Sequence, residues 1–151
     1  MENTNEMELI FDSRSANESF ARVTVASFMR SLNPTLEEVS DVKTAVSEAV
    51  TNAIIHGYEN EVHNIRIHCK TEGQTLYVEI SDQGKGIEDV KQAMEPLFTT
   101  RPELDRSGMG FSFMEAFMDF LEVESEVGKG TTVKMAKTIG KGRKLWITQS
   151  L

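Results

Sequence analysis

Two polar side chains, Glu48 and Asn52, lie four residues apart in a stretch with helical periodicity. This spacing places them on one face of a helix. A carboxamide oxygen can ligate a hard cation such as Mg2+, and a neighbouring carboxylate can accept a proton or orient a water molecule. Such a pair is also common on solvated helix surfaces, so its meaning depends on the motifs that follow it.

Two glycine motifs follow this helix in the chain. The first, Asp82-x-Gly84-x-Gly86, ends a predicted strand. The carboxylate of Asp82 can accept a hydrogen bond from an exocyclic amine such as that of adenine, and the glycines let a flat base approach the backbone closely. The second, Gly108-x-Gly110, begins a predicted helix, where backbone N–H groups can bind phosphate. Each motif alone is common, whereas the ordered combination is rare.

The segment between the two glycine motifs carries cations. Arg101 and Arg106 lie within residues 95–107, which show little periodicity and are predicted to form a long loop. Guanidinium groups in such a loop can fold over a terminal phosphate as a lid. Together with the glycine motifs, this loop favours a site for a nucleotide.

Other nucleotide-binding signatures are absent from the sequence. It has no G-x-x-x-x-G-K-[ST] loop, no G-x-G-x-x-G after a first strand, and no protein-kinase glycine loop with its H-R-D and D-F-G partners. The formal charge of −8 argues against nonspecific nucleic-acid binding, which needs a basic surface. Because no apolar run approaches membrane-spanning length, we expect a cytosolic chain without a membrane partner.

Periodicity and capping signals predict the elements that position the first pair. Residues 7–12 read as a strand. Residues 15–18 fit a capping box that opens a helix to about residue 32, and residues 35–38 fit a second box that begins the helix with the Glu/Asn pair. Gly57 is the expected C-cap of that second helix.

The second half of the chain reads mainly as strands. Alternating apolar residues predict an antiparallel pair near residues 65–71 and 75–82, and two last strands near residues 121–126 and 131–137. A short helix is expected over residues 88–94, and another opens at the second glycine motif. The order of elements predicts an α+β fold, a two-layer sandwich with helices on one face of a mixed sheet.

The domain organisation is expected to be simple. A chain of 151 residues can form one core without disulfides, and we expect a single domain over residues 1–139 and a basic tail over residues 140–151. The single cysteine, Cys69, excludes an internal disulfide and is predicted to be a small core residue.

The ordered motifs resemble those of the Bergerat-fold (GHKL) ATPases, the superfamily of gyrase, histidine kinases and mismatch-repair ATPases. The similarity extends over about residues 7–137, and residues 47–58 and 96–111 are similar in particular to the anti-sigma-F factor family of endospore-forming bacteria. The motifs that look like the N, G1, G2 and terminal boxes are Glu48-x-x-x-Asn52, Asp82-x-Gly84-x-Gly86, Gly108-x-Gly110 and Gly130-Thr131.

This resemblance implies a role for each matching residue. Glu48 would be the general base for the attacking hydroxyl, Asn52 would ligate the Mg2+ that bridges the ATP phosphates, and Asp82 would contact the adenine amine. Arg22, in the first helix, would belong to the surface that binds protein partners. The residues implied to complete the nucleotide site are Gly84, Gly86, Thr99, Thr100, Arg106, Ser107, Gly108, Gly110 and Thr131.

The resemblance also implies a function. The chain would bind and inhibit a sporulation sigma factor, sigma-F, and would act as an ATP-dependent serine protein kinase on a serine of its anti-anti-sigma antagonist. It would be a homodimer in the cytoplasm of the forespore, with ATP/ADP and Mg2+ as cofactors and no direct contact with nucleic acid. Two alternatives stay open at this point: an anti-sigma kinase of a stress-response pathway, and an ATP-binding switch without phosphotransfer.

Overall fold

The computed structural model describes residues 3–95 and 110–140 of the chain. In these residues the strands and helices follow the predicted order, and β1 begins three residues before its predicted start. The elements are β1 (Thr4–Asp12), α1 (Ala16–Phe28) with a 3-10 turn (Met29–Leu32), α2 (Leu36–Asn52) with a π turn (Ala53–Gly57), β2 (Asn64–Glu72), β3 (Thr75–Asp82), α3 (Val90–Ala93), α4 (Gly110–Phe117), β4 (Phe120–Glu126) and β5 (Gly130–Thr138).

The described strands form one five-stranded sheet in the order β1-β2-β3-β5-β4, and every neighbouring pair is antiparallel. The predicted two-layer α+β fold is confirmed, but the sheet is antiparallel where a mixed sheet was expected. The reason is the position of β5. Both β3 and β4 run antiparallel to β5, which lies between them, so these two strands share a direction without pairing.

One face of the sheet forms the core. Side chains alternate between buried and more exposed along the central strands, and the buried set on β2 includes Ile65, Ile67 and Cys69. On α2, Val42, Val46 and Val50 are buried at helical spacing. Burial raises the pKa of the Cys69 thiol to about 12, so this residue is a protonated, small core residue as predicted.

The two predicted capping boxes have different outcomes. At α2 the box is confirmed, because the Glu38 N–H donates to Thr35 Oγ1 at 3.1 Å and the Thr35 N–H donates to Glu38 Oε1 at 2.9 Å. At α1 the prediction is wrong, because Ser15 makes no side-chain cap and has helical backbone angles. The Glu18 carboxylate instead accepts a hydrogen bond from Ser47 of α2. A tertiary contact has replaced the local one.

The prediction that Gly57 is the C-cap of α2 is also wrong. The helix continues as a π turn through Gly57, and the first positive φ angles occur at Glu59 and Asn60. A Cβ on Gly57 would lie 2.9 Å from Asp82 Oδ1. This glycine is therefore needed because the end of α2 approaches the end of β3 closely, and not because of its own φ angle.

Several predictions fall on residues outside the described ranges. They are the long loop beyond Glu95 and all of the basic tail except Gly140. Within residues 3–95 and 110–140, no helix combines the length and the apolar character that crossing a membrane requires.

A buried tyrosine ties the end of α2 to two strands. The Tyr58 hydroxyl donates to the carbonyl oxygen of Asn64 at the start of β2, and it accepts from the Gln83 N–H, just after β3, at 2.7 Å. Tyr58 is only 6% exposed. Its hydroxyl therefore satisfies two backbone groups at the point where α2, β2 and β3 meet.

We expect Tyr58→Phe to lower the free energy of unfolding by about 1–3 kcal/mol, because the Asn64 carbonyl and the Gln83 N–H each lose a hydrogen bond to the tyrosine hydroxyl. Urea denaturation of the wild-type and variant chains measures the change. Tyr77→Phe is the matched control, since Tyr77 is 44% exposed, and it should change stability by no more than about 0.5 kcal/mol. Equal unfolding midpoints for Tyr58→Phe and the wild type would contradict the prediction.

Candidate functional site

A cavity of about 330 Å³ opens between α2, the end of β3 and the start of α4. Apolar side chains and glycine backbone form most of its walls, and a few polar groups point into it. This size and this mixture are typical of sites for small molecules. Its lining includes Asn52, Ala53, Asp82, Gly86, Gly110 and Thr131.

Asp82 is the carboxylate at one end of this cavity. Its Oδ1 atom accepts a hydrogen bond from the Gly84 N–H at 2.9 Å. Burial raises the pKa of the Asp82 carboxyl above its ordinary value, although hydrogen bonds from the Gly84 and Thr131 N–H groups act in the opposite direction. The Asp82 carboxylate is therefore a partly desolvated acceptor that neighbouring backbone N–H groups hold in place. It remains available to a ligand with an N–H donor.

The glycines after Asp82 are required by close backbone contacts. A Cβ on Gly84 would lie 2.2 Å from the Gly57 carbonyl oxygen, and the Lys85 N–H donates to that same oxygen at 3.0 Å. Gly86 has a φ of +78°, and a Cβ there would lie 2.3 Å from the Glu126 carbonyl oxygen. The turn therefore sits against both the end of α2 and the β4–β5 hairpin.

Thr131 is held beside Asp82 by a serine that the sequence did not reveal. The Ser125 Oγ atom lies 2.8 Å from Thr131 Oγ1 and accepts from the Ile87 N–H at 2.7 Å. A signal was available, because Ser125 continues the inward alternation of Leu121 and Val123 along β4 with a polar residue. A polar side chain at a core-facing position needs a hydrogen-bond partner.

At the other end of the cavity, Glu48 and Asn52 converge on the first residue of α4. A Cβ on Gly110 would lie 3.1 Å from Glu48 Oε2 and 3.3 Å from Asn52 Nδ2. The prediction that these two side chains share a face is therefore confirmed. A Cβ here would crowd these polar atoms, whereas glycine leaves them room beside the helix start, where unpaired backbone N–H groups can bind an anion.

Arg22 lies apart from the cavity. It lines a groove between α1 and α2 together with Lys43, Ser47 and Glu48. Glu48 therefore stands between this groove and the space beside Gly110. The remaining predicted site residues, which lie outside the described ranges, are Thr99, Thr100, Arg106, Ser107 and Gly108.

Some residues that line the cavity carried no signal that the sequence could have revealed. Their side chains or backbone reach it only because distant segments meet there. They are His56, Lys85, Phe111 and Val127. Gly57, which also lines the cavity, did carry a usable signal, since a glycine that ends an apolar helix can mark close backbone approach as well as a cap.

The polar side chains at this site suit a cation that binds together with phosphate groups better than a metal ion held by protein ligands alone. In the described part of the chain, no group of three or more His, Cys, Asp or Glu residues could hold a metal ion. Mg2+ commonly takes only one or two protein ligands and completes its shell with phosphate oxygens and water. The Asn52 carboxamide beside Glu48, facing a glycine-lined space, matches that requirement.

Comparison with known proteins gives a consistent result. Residues 11–137 match the family model of the histidine kinase-like ATPase domain. The chain is 61% identical over 140 residues to an anti-sigma F factor of Thermoanaerobacter sp., covering 93% of this chain and 98% of that one. It is 62% identical over 133 residues to an anti-sigma F factor of Clostridium acetobutylicum, covering 88% and 93%.

Among solved structures, the fold is similar to that of a Mycobacterium tuberculosis protein with RsbU and RsbW domains. The TM-score is 0.65 at 16% identity, and the match covers 89% of this chain and 32% of that one. This likeness supports the fold alone. The family match and the relatives at about 60% identity lead to one conclusion: the chain belongs to the anti-sigma F factor family and carries a histidine kinase-like ATPase domain.

Proposed function

We propose that the chain binds and inhibits the sporulation sigma factor sigma-F and is an ATP-dependent serine protein kinase that phosphorylates its anti-anti-sigma antagonist. The observation that carries the kinase proposal is the convergence of Glu48 and Asn52 on Gly110 at one end of a nucleotide-sized cavity. Relatives named anti-sigma F factor favour sigma-F over a sigma factor of a stress pathway.

In this proposal, the Asp82 end of the cavity binds adenine. The buried carboxylate accepts a hydrogen bond from the exocyclic amine, and Thr131 lies beside it. Gly84 and Gly86 let the turn after Asp82 pack against the backbone of Gly57 and Glu126, and Gly86 lines the cavity where the base lies. Burial in an apolar wall strengthens such a hydrogen bond, since water competes for it less.

The other end of the cavity binds phosphates. The Asn52 carboxamide ligates Mg2+, and the N–H groups at the start of α4 hold phosphate oxygens. ATP supplies the phosphoryl group, and Mg2+ offsets the negative charge of the phosphates. The part of the phosphate site assigned to Thr99, Thr100, Arg106, Ser107 and Gly108 rests on the resemblance.

Glu48 acts on the protein substrate. Its carboxylate lies between the groove of α1 and α2 and the space beside Gly110, so it can face an acceptor serine from one side and the phosphate site from the other. There it orients the serine hydroxyl and accepts its proton. Positioning of this kind supplies most of what phosphoryl transfer requires of a protein.

Protein partners meet the surface around Arg22 in this proposal. The Arg22 side chain is 41% exposed, and its guanidinium group can pair with a carboxylate of a partner. The acidic chain, with a formal charge of −8, is electrostatically suited to basic patches of a sigma factor. A homodimer in the forespore, with a sigma factor bound across both subunits, completes the proposal on the strength of the resemblance.

We expect Glu48→Gln to keep ATP binding but to reduce phosphotransfer by at least about a hundredfold, because the amide cannot accept the proton of the serine. The assay follows transfer of labelled phosphate from Mg2+–ATP to a candidate anti-anti-sigma protein, alongside ATP binding by calorimetry. Glu124→Gln is the matched control, since Glu124 pairs with Lys134 on the sheet, away from the site. Unchanged transfer by Glu48→Gln would refute the base assignment, and tight ATP binding without transfer by the wild type would favour the ATP-binding switch.

We expect Asn52→Ala to weaken Mg2+-dependent ATP binding by about tenfold or more, since the cation loses its protein ligand. ATP affinity is titrated with Mg2+ present and with EDTA in its place. The loss should be confined to the Mg2+ series. If the variant loses the same affinity in both series, Asn52 acts on the fold or the nucleotide itself and not on the ion.

We expect Asp82→Asn to reduce the preference for ATP over ITP by about tenfold, because a hydrogen bond from the adenine amine to a carboxylate contributes about 1.5–3 kcal/mol. The carboxamide has one acceptor oxygen for the Gly84 N–H, and its NH2 group would face the amine of the base. Competition binding with ATP and ITP, whose base lacks the amine, gives the ratio. A ratio equal to that of the wild type would rule out contact between Asp82 and the amine.

A further inference from the structure

A polar contact joins α1 to α2 next to the proposed catalytic residue. Ser47 Oγ donates to Glu18 Oε1 at 2.7 Å. The second carboxylate oxygen of the same residue, Glu18 Oε2, lies 3.4 Å from Arg22 Nε, one turn further along α1. A single carboxylate thus bridges a hydroxyl on α2 and a cation on α1.

The bridge is shielded from water at its centre. Glu18 Oε2 and Arg22 Nε are both buried, and neither has a hydrogen-bond partner in the described part of the chain. They therefore depend on each other for charge compensation, which makes separating them costly. Yet the Arg22 side chain as a whole is 41% exposed. The other atoms of the side chain remain open to a partner while Nε stays with Glu18.

The bridge ends beside Glu48. Ser47 precedes Glu48 directly in α2, and both line the groove that also contains Arg22. Ser47 and Glu48 belong to one turn of α2, so a contact that holds Ser47 also holds the backbone that presents Glu48. Glu48 itself lies beside the start of α4, since its Oε2 atom is 3.1 Å from the position that a Cβ on Gly110 would occupy.

We propose that Glu18 is a positioning residue that connects the partner-facing Arg22 to the turn of α2 that carries Glu48. Arg22 holds the Glu18 carboxylate, Glu18 holds Ser47, and Ser47 fixes the approach of Glu48 to the acceptor serine. A partner that engages Arg22 thereby acts on the geometry of the catalytic carboxylate. This inference rests on the proposed kinase function and assigns a regulated contact to it.

Apolar packing also holds α1 against α2, so the bridge can be removed in a test without separating the two helices. Ala21 and Val25 of α1 are fully buried in the same core as Val46 and Val50 of α2. Removing the Ser47 hydroxyl leaves this apolar contact intact. The Glu18 side chain is 22% exposed, so water can reach it when the hydroxyl is absent.

The test compares Ser47→Ala, Ser47→Thr and Glu18→Gln with the wild-type chain in phosphotransfer to the anti-anti-sigma protein. We expect Ser47→Ala and Glu18→Gln to lower kcat about tenfold, with the KM for Mg2+–ATP changed less than about twofold, since only the approach of Glu48 is disturbed. Ser47→Thr keeps the hydroxyl and should restore most of the rate. Glu124→Gln, which breaks an ion pair on the sheet, serves as control.

A double-mutant cycle tests the connection to Arg22. If Arg22 acts on kcat through Glu18, Arg22→Ala lowers kcat in the wild-type background but not in Glu18→Gln. Additive effects on kcat would overturn the connection. An unchanged kcat in both Ser47→Ala and Glu18→Gln would overturn the positioning role, and so would a fall in Tm without a fall in kcat.

The two proposals fail in different ways. A wild-type chain that binds ATP and the antagonist but transfers no phosphate overturns the kinase function, and the role of Glu18 with it. A wild-type chain that transfers phosphate, with variants that match it, overturns the role of Glu18 alone. If Glu18→Gln fails to fold, the comparison of Ser47→Ala with Ser47→Thr still decides the question.

Discussion

The structure depends on backbone segments that approach each other at the end of β3 more closely than side chains would allow. A Cβ on Gly84 would lie 2.2 Å from the Gly57 carbonyl oxygen, and one on Gly130 would lie 2.0 Å from the Asp82 carbonyl oxygen. The end of α2, the turn after β3 and the start of β5 therefore meet in direct backbone contact. These packed segments form one wall of the cavity, to which Gly57, Gly86 and Thr131 belong.

The same contact explains the electrostatics of the site. With three backbone segments around it, Asp82 is removed from water and receives N–H donors from Gly84 and Thr131. The polar atoms at the opposite end, on Glu48 and Asn52, are separated from it by the apolar wall of the cavity. A molecule with a hydrogen-bonding base at one end and an anion at the other fits this division.

Patterns within one element could be predicted from the sequence, and contacts between elements could not. The Thr35 capping box and the shared face of Glu48 and Asn52 depend on helix geometry alone, and both are correct. The Ser15 box failed because Glu18 has a stronger partner in another helix. The mixed sheet failed because nothing local reveals that β5 lies between β3 and β4. The alternation along β4 marks Ser125 as an inward-facing polar residue, but its partner Thr131 lies on another strand and is revealed only by the structure.

The central place of β5 has a consequence for folding. Among the described strands β5 is the last along the chain, yet it pairs with both β3 and β4 and supplies Thr131 to the cavity. A chain from which residues 130–138 are removed has an interrupted sheet and an open cavity wall. Because β3 and β5 are far apart in sequence, their pairing comes late in folding. The wall that carries Asp82 and Thr131 is therefore one of the last parts of the fold to be completed.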